Sequence, residues 1–278
     1  MSPSHLSTVY ILVGTLLAGC TLTPPPAIAD TASPSKADNA AESQEPAEPQ
    51  PRASAAQPTI EILGTTPEEA WVRPTFVTTD QPLSAGTAFV CEVVPGQPPL
   101  LLSAQHLFGP AGGLAREYAW SEMKTLVQGA EGYDAHGNRV VTAGPPLTIE
   151  GAEAMSEERV DADIAAFPLL APTRVHALPL ASAMPTNGDP VWLVAEVMGA
   201  APSTLRHRAT IQEVAPTHLV YVFDDAIELR ATSGAPVINA AGQVVAINLG
   251  GGDEGGKTFG IGNPAPSILA RVRSARGD

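Results

Sequence analysis

The sequence predicts an all-β fold of short antiparallel strands, and three observations carry that expectation. Turn residues are abundant, with 25 Gly and 28 Pro in 278 residues, a composition that suits many short strands better than long helices. Apolar residues gather in short runs bounded by turn residues, without a sustained 3.6-residue period. Charged residues are only 16% of the chain while 44% is apolar, enough to build a core.

The first segment belongs to targeting rather than to the fold. Residues 9–17 form an apolar run that is too short to span a bilayer, which takes about 20 helical residues, yet suits the apolar region of a secretory signal. The following Leu17-Ala18-Gly19-Cys20 resembles the bacterial lipobox, whose small residues fit the signal peptidase and whose cysteine thiol receives a diacylglycerol. That resemblance implies a signal peptide at 1–19, lipid attachment at Cys20, and a protein anchored in the bacterial cell envelope, facing the periplasm or the exterior. An alternative site, Ala27-Ile28-Ala29 before Asp30, would release a soluble secreted protein.

Residues 20–58 read as a disordered Pro/Ala-rich linker. Between Thr21 and Pro58 there are 8 prolines and 10 alanines with almost no large apolar side chain, too little burial to offset chain entropy. Such a tether holds the remaining domain, 59–278, away from a membrane. The formal net charge of −14 and the pI near 4.7 argue against a nucleic-acid partner, which calls for a basic face. Cys20 and Cys91 are the only cysteines, which excludes a disulfide framework. Cys91, inside an apolar run, reads as a small buried hydrophobe. His136, His176, His207 and His218 lack metal-ligand spacing, so surface or strand-edge positions are expected for them, and neither a metal nor a cofactor is expected.

Within 59–278 the strand expectations fall at residues 75–78, 86–93, 100–103, 163–167, 191–195, 219–222, 235–238 and 244–248, the last two joined through Ala241-Gly242 as a hairpin. Two helices are expected, at 114–126 and 266–273, the second beginning with Pro266 in its first turn.

Three reactive residues stand at strand ends, in the order His, Asp, Ser. Leu102-Ser103-Ala104-Gln105-His106 delivers a histidine into a loop, Asp161-Ala162-Asp163-Ile164-Ala165 opens an apolar run with a carboxylate, and Thr232-Ser233-Gly234-Ala235-Pro236 puts a serine in a small-residue turn before a strand. A serine hydroxyl becomes a useful nucleophile when a histidine takes its proton and a carboxylate fixes the imidazole tautomer. His106, Asp163 and Ser233 would supply that relay. Asp161 is the rival carboxylate, and Asp163 is preferred because the apolar run continues directly from it.

In this order and spacing the chain resembles the trypsin-like, chymotrypsin-fold serine peptidases, nearest the bacterial high-temperature-requirement branch. Gly86-Thr87-Ala88-Phe89-Val90, Gly188-Asp189-Pro190-Val191-Trp192, the run from Ser233 to Asn248, and Gly260-Ile261-Gly262 with Ala265-Pro266-Ser267 carry the likeness. It implies two six-stranded antiparallel β-barrels with a short C-terminal helix. Catalysis would fall to His106, Asp163 and Ser233, and the oxyanion hole to the N–H groups of Ala231 and Ser233. Substrate would bind near Ile227 and along Asn248, Leu249 and Gly250, with a preference for small or medium apolar side chains. Ala231 stands where the family normally has glycine, and a negative φ would let it present its N–H. With the sequence reaching only Asp278, no peptide-binding PDZ module is expected.

The expected activity is hydrolysis of peptide bonds in a peptide or protein substrate by an envelope-anchored serine endopeptidase. Two rivals remain: a catalytically silent module of the same fold that binds a peptide or envelope partner, and an esterase or transferase using the same triad.

Overall fold

A computed structural model describes residues 70–201 and 203–277. The expected signal, Cys20 and linker therefore lie outside the described residues.

The described chain is two β units, antiparallel except for the strand Leu178–Pro179, which runs parallel to its partner, and a C-terminal helix. The first contains β1 (Trp71–Thr78), β2 (Leu83–Ser84), β3 (Ala88–Glu92), β4 (Leu100–Ser103), β5 (Val127–Tyr133), β6 (Arg139–Ala143), β7 (Ala165–Pro168) and β8 (Leu178–Pro179). Its main path runs β6-β5-β1-β3-β4-β7, with β2 and β8 as side strands on β1 and β3. The two ends of this path also meet, since Gly144 N–H donates to Pro168 O at 2.8 Å and Leu170 N–H to Thr142 O at 2.9 Å. The second unit is a closed six-stranded barrel, ordered β10-β11-β14-β13-β12-β9. Its strands are β9 (Pro190–Val194), β10 (Arg206–Val214), β11 (Leu219–Phe223), β12 (Pro236–Ile238), β13 (Val244–Glu254) and β14 (Lys257–Pro264). This is the all-β architecture the sequence predicts.

In several strands alternation places one face inward. In β10 and β11, Ala209, Ile211, Leu219, Tyr221 and Phe223 fill the second barrel with Val191, Leu193, Val237 and Val245. The first core centres on three rings, Phe76 against Phe108 at 4.6 Å and against Phe167 at 5.6 Å, a geometry that adds to plain area burial. The β3 and β4 residues Ala88 to Cys91 and Leu100 to Ser103 are all buried, so these strands read as continuous apolar runs rather than as alternation.

Several expectations need correction. Residues 114–126 are not one helix: only α1 (Met123–Leu126) forms, because the preceding loop takes its hydrogen bonds from the His106 turn. Strands β5, β6 and β10 carry Gly, Glu, Gln or Arg among their apolar residues, which broke the runs on which the sequence reading depended. The helix expected at 266–273 is α2 (Ala265–Arg276), closed by Gly277 at φ 79° with its N–H on the carbonyls of Arg273 and Ser274. The hairpin at Ala241-Gly242 is present, with Asn239 Oδ1 accepting from Ala241 N–H and Gln243 N–H, both at 3.0 Å. Asp163 does not open a strand. It follows a 3-10 turn, Val160–Ala162, and β7 starts two residues later at Ala165.

Candidate active site

His106 arrives on the end of β4. A 3-10 turn, Gln105–Phe108, follows that strand, and Phe108 two positions on is locked in the first core. The imidazole meets Asp163, with Nδ1 and Oδ2 2.6 Å apart, while His106 N–H donates to Asp163 Oδ1 at 3.0 Å. Asp163 is fully buried, and Met155 N–H gives its Oδ2 a further bond at 3.0 Å. A buried carboxylate needs such donors to remain charged. Burial of the imidazole disfavours its proton, yet the charge of Asp163, their hydrogen bond and the charge of Glu117 outweigh it and raise the His106 pKa.

The carboxylate is also held from behind. Asn263 in β14 donates its amide to Asp161 O and Asp163 O at 3.0 and 3.2 Å. Arg271 in α2 donates Nε to Asp161 O at 2.7 Å and Nη2 to Asp161 Oδ2 at 2.9 Å. Asp161, the rival carboxylate, is therefore an ion-pair partner of Arg271 and does not meet the imidazole. Arg159 pairs with Glu153 at 3.3 Å rather than with Asp163.

Ser233 sits in a turn packed on the first unit. Thr87 N–H donates to Ser233 O at 2.8 Å, and Thr87 Oγ1 to Ala231 O at 2.9 Å. Gly234 lies so close that a Cβ there would overlap Thr87 O and stand 2.6 Å from Ser103 Oγ and 3.2 Å from Ala104 N. The turn is thus seated two residues from His106. The Ser233 hydroxyl donates to Leu249 O at 3.2 Å, and among the described residues no hydrogen bond joins it to His106.

The backbone at Ala231 takes the glycine-like sign. Its φ is +65°, and it alone among the described non-glycine residues is left-handed. Thr232 N–H donates to Leu229 O at 3.1 Å, making Ala231 the third residue of a turn whose positive φ there defines type II. Alanine thus takes the conformation in which glycine is at home, at a cost of roughly 1–2 kcal/mol. Among the described residues, neither Ala231 N–H nor Ser233 N–H has an acceptor within the chain.

This constellation sits in a recognisable chain. A family model described as a trypsin-like peptidase domain matches residues 86–247, more than half of the sequence. The chain belongs to the trypsin-like peptidase family. No curated protein matches the sequence at a significant level. Among solved structures, it is similar to a serine endoprotease from Yersinia pestis, at 14% identity over 77% of this chain and 68% of that one, with a TM-score of 0.50. It is also similar to kallikrein-related peptidase 10, at 10% identity over 75% and 95%, with a TM-score of 0.51. The active form of the Rv3671c protease of M. tuberculosis aligns at 16% identity over 80% and 92%, with a TM-score of 0.45.

The expected substrate-contact residues of this peptidase occupy different surroundings. Asn248 is buried, its Oδ1 accepting from Tyr221 Oη at 2.5 Å and its Nδ2 donating to Thr232 O and Oγ1, each at 3.0 Å. Its side chain braces the serine turn instead of facing a groove. Leu249 is a one-residue bulge between the pairs Asn248–Gly262 and Gly250–Ile261, which re-aims its carbonyl onto Ser233. Gly250, at φ +141°, lies under Met155, whose Cε is 3.9 Å from where a Cβ would stand. Ile227 is half-buried, its N–H on Thr258 Oγ1 at 3.4 Å. Beyond Asn248 the edge of β13 away from β14 has no strand partner among the described residues.

Cys91 is buried and unpaired, and burial pushes its thiol up. His207 corrects the expectation of a surface or edge position: it is buried, with Nε2 3.2 Å from Ala195 O. Sequence reasoning missed Thr87, Met155, Tyr221, Asn263 and Arg271 as supports of the site. Met155 acts through its backbone N–H, which leaves no mark on residue type.

Proposed function

We propose that the protein is an envelope-anchored serine endopeptidase. In this reading Ser233 attacks the scissile carbonyl, and His106 takes its proton and delivers it to the leaving amine. Asp163 fixes the imidazole tautomer, and the N–H groups of Ala231 and Ser233 hold the oxyanion. The observation that carries the reading is the buried His106–Asp163 pair, 2.6 Å apart, set beside the turn that presents Ser233. The two N–H groups without internal acceptors fit an oxyanion site. The open edge of β13 at Gly250 fits an extended peptide added as a strand, with a small or medium apolar P1 side chain. Membrane attachment at Cys20, with release after Ala29 as the alternative, rests on the sequence pattern alone.

A second reading has its own observation. The Ser233 hydroxyl is engaged by Leu249 O and Ala231 is strained, as suits a silent module that binds a peptide. Fluorophosphonate labelling of the full chain and of Ser233→Ala and His106→Ala separates the two. Labelling that both substitutions abolish supports the peptidase, and a folded wild type that does not label supports the binding module. Peptide against ester turnover then tests the acyl group.

A further inference from the structure

The loop after the His106 turn is pinned onto that turn at three points. Leu114 N–H donates to Gly109 O at 3.0 Å and Tyr118 N–H to Phe108 O at 3.1 Å, while Gln105 Nε2 donates to Tyr118 O at 3.1 Å. The cation of the loop is already committed. Arg116 lies 4.0 Å over the Tyr118 ring and pairs with Glu122 through Nη2 at 2.6 Å and Nη1 at 3.1 Å.

That arrangement leaves Glu117 exposed on the site side of the loop. Its carboxylate lies flat on Gly109, where a Cβ would overlap both carboxylate oxygens, three positions past His106. Among the described residues no cation or hydrogen-bond donor meets it. Partial burial raises its carboxyl pKa, the His106 imidazole lowers it, and Asp163 raises it, which places the carboxylate within electrical reach of both. A carboxylate without a partner at the rim of a reacting centre favours an approaching cation and disfavours an anion.

We propose that Glu117 is a specificity-determining residue, whose carboxylate receives the ammonium or guanidinium of a substrate residue adjoining P1 across or beside the scissile bond. The inference rests on the peptidase reading above and gives it a substrate class: peptides with Lys or Arg at P2 or P1′, next to an apolar P1. An exposed ion pair contributes only modestly, typically up to about fivefold, so selectivity, not absolute rate, is the quantity to read.

The test uses the full chain and paired peptides differing only by Lys, Gln or Glu, placed in one series at P2 and in the other at P1′. The expected result is a kcat/KM ratio of about 2 to 5 for Lys over Gln in one series, falling with added salt. Glu117→Gln brings that ratio to about 1, and Glu117→Lys turns the preference toward Glu. Because each ratio is taken within one enzyme, a change in folding or overall rate cancels. Wild type that labels and cleaves without charge preference, or a preference that survives in Glu117→Gln, overturns the role of Glu117 alone. A folded wild type that neither labels nor cleaves overturns this inference together with the peptidase reading.

Discussion

The Asn263 side chain crosses from the second barrel to donate to the main-chain carbonyl of Asp163, 100 positions earlier, at 3.2 Å, and to that of Asp161 at 3.0 Å. One amide from β14 thus fixes the turn that carries the buried carboxylate of the first unit. Asn263→Ala removes both bonds and leaves the Asp163 carbonyl without its donor, while Asp161 O keeps Arg271 Nε, a cost of about 1–3 kcal/mol. The expected outcome is a Tm lowered by roughly 2–10 °C, with slower fluorophosphonate labelling, and thermal melts with labelling rates check both.

Gly234 and Gly256 make a paired test of close approach. Both have positive φ, but a Cβ at Gly234 overlaps Thr87 O while one at Gly256 meets nothing within 4 Å. Gly256→Ala is expected to cost about 1 kcal/mol through backbone strain, whereas Gly234→Ala must also push the serine turn off Thr87 and Ser103. Loss of labelling and a far larger drop in Tm are expected for the latter, and comparable melts for the two variants would contradict the packing described.

Ala231→Gly relieves the left-handed alanine at φ +65°. Stability should rise by about 1 kcal/mol, less the greater freedom of glycine in the unfolded chain. Because the turn already holds the glycine-like conformation, labelling should hold or increase. A fall in labelling would show that the alanine methyl supports the site in another way.

The pH dependence follows from His106. It accepts a proton only when neutral, and its pKa is raised above the ordinary 6.5, so labelling should rise with pH along a limb centred above 6.5 and then level off. Glu117→Gln removes one of the raising charges and moves that limb to lower pH. Stability has the opposite slope: the protonated His106–Asp163 pair contributes fully below about 6.5 and is lost as pH climbs through the raised value. Labelling rate against pH, alongside melts over the same range, reads both.

Asp163→Asn keeps the shape of the buried group but removes the charge and favours the wrong imidazole tautomer. A loss on the order of 10⁴-fold in turnover is expected, and an isosteric change that leaves labelling intact would dismiss Asp163 from the relay. Asp161→Asn should leave the tautomer untouched and act through the Arg271 contact.

By itself the sequence determined the strand-rich class, most of the second barrel's apolar strands and the final helix, and it put His106, Asp163 with Asp161 as its rival, and Ser233 in order along the chain. Each is written in local terms, as an apolar run, a turn residue, or a reactive side chain at a strand end. Strands such as β5 and β6 were not legible, since Gly129, Glu131 and Gly132 interrupt the apolar pattern of β5, Arg139 opens β6, and β5 also pairs with the distant β1. Only tertiary structure decided that Asp163 rather than Asp161 meets the imidazole, because Asp161 lies within a 3-10 turn that Asp163 follows and Arg271 claims the Asp161 carboxylate. It also decided that Asn248 turns inward, that Ala231 is left-handed, and that the Glu117 carboxylate rests on Gly109 unpaired. Those outcomes depend on hydrogen bonds across the fold, for which no single stretch of residues carries a signal.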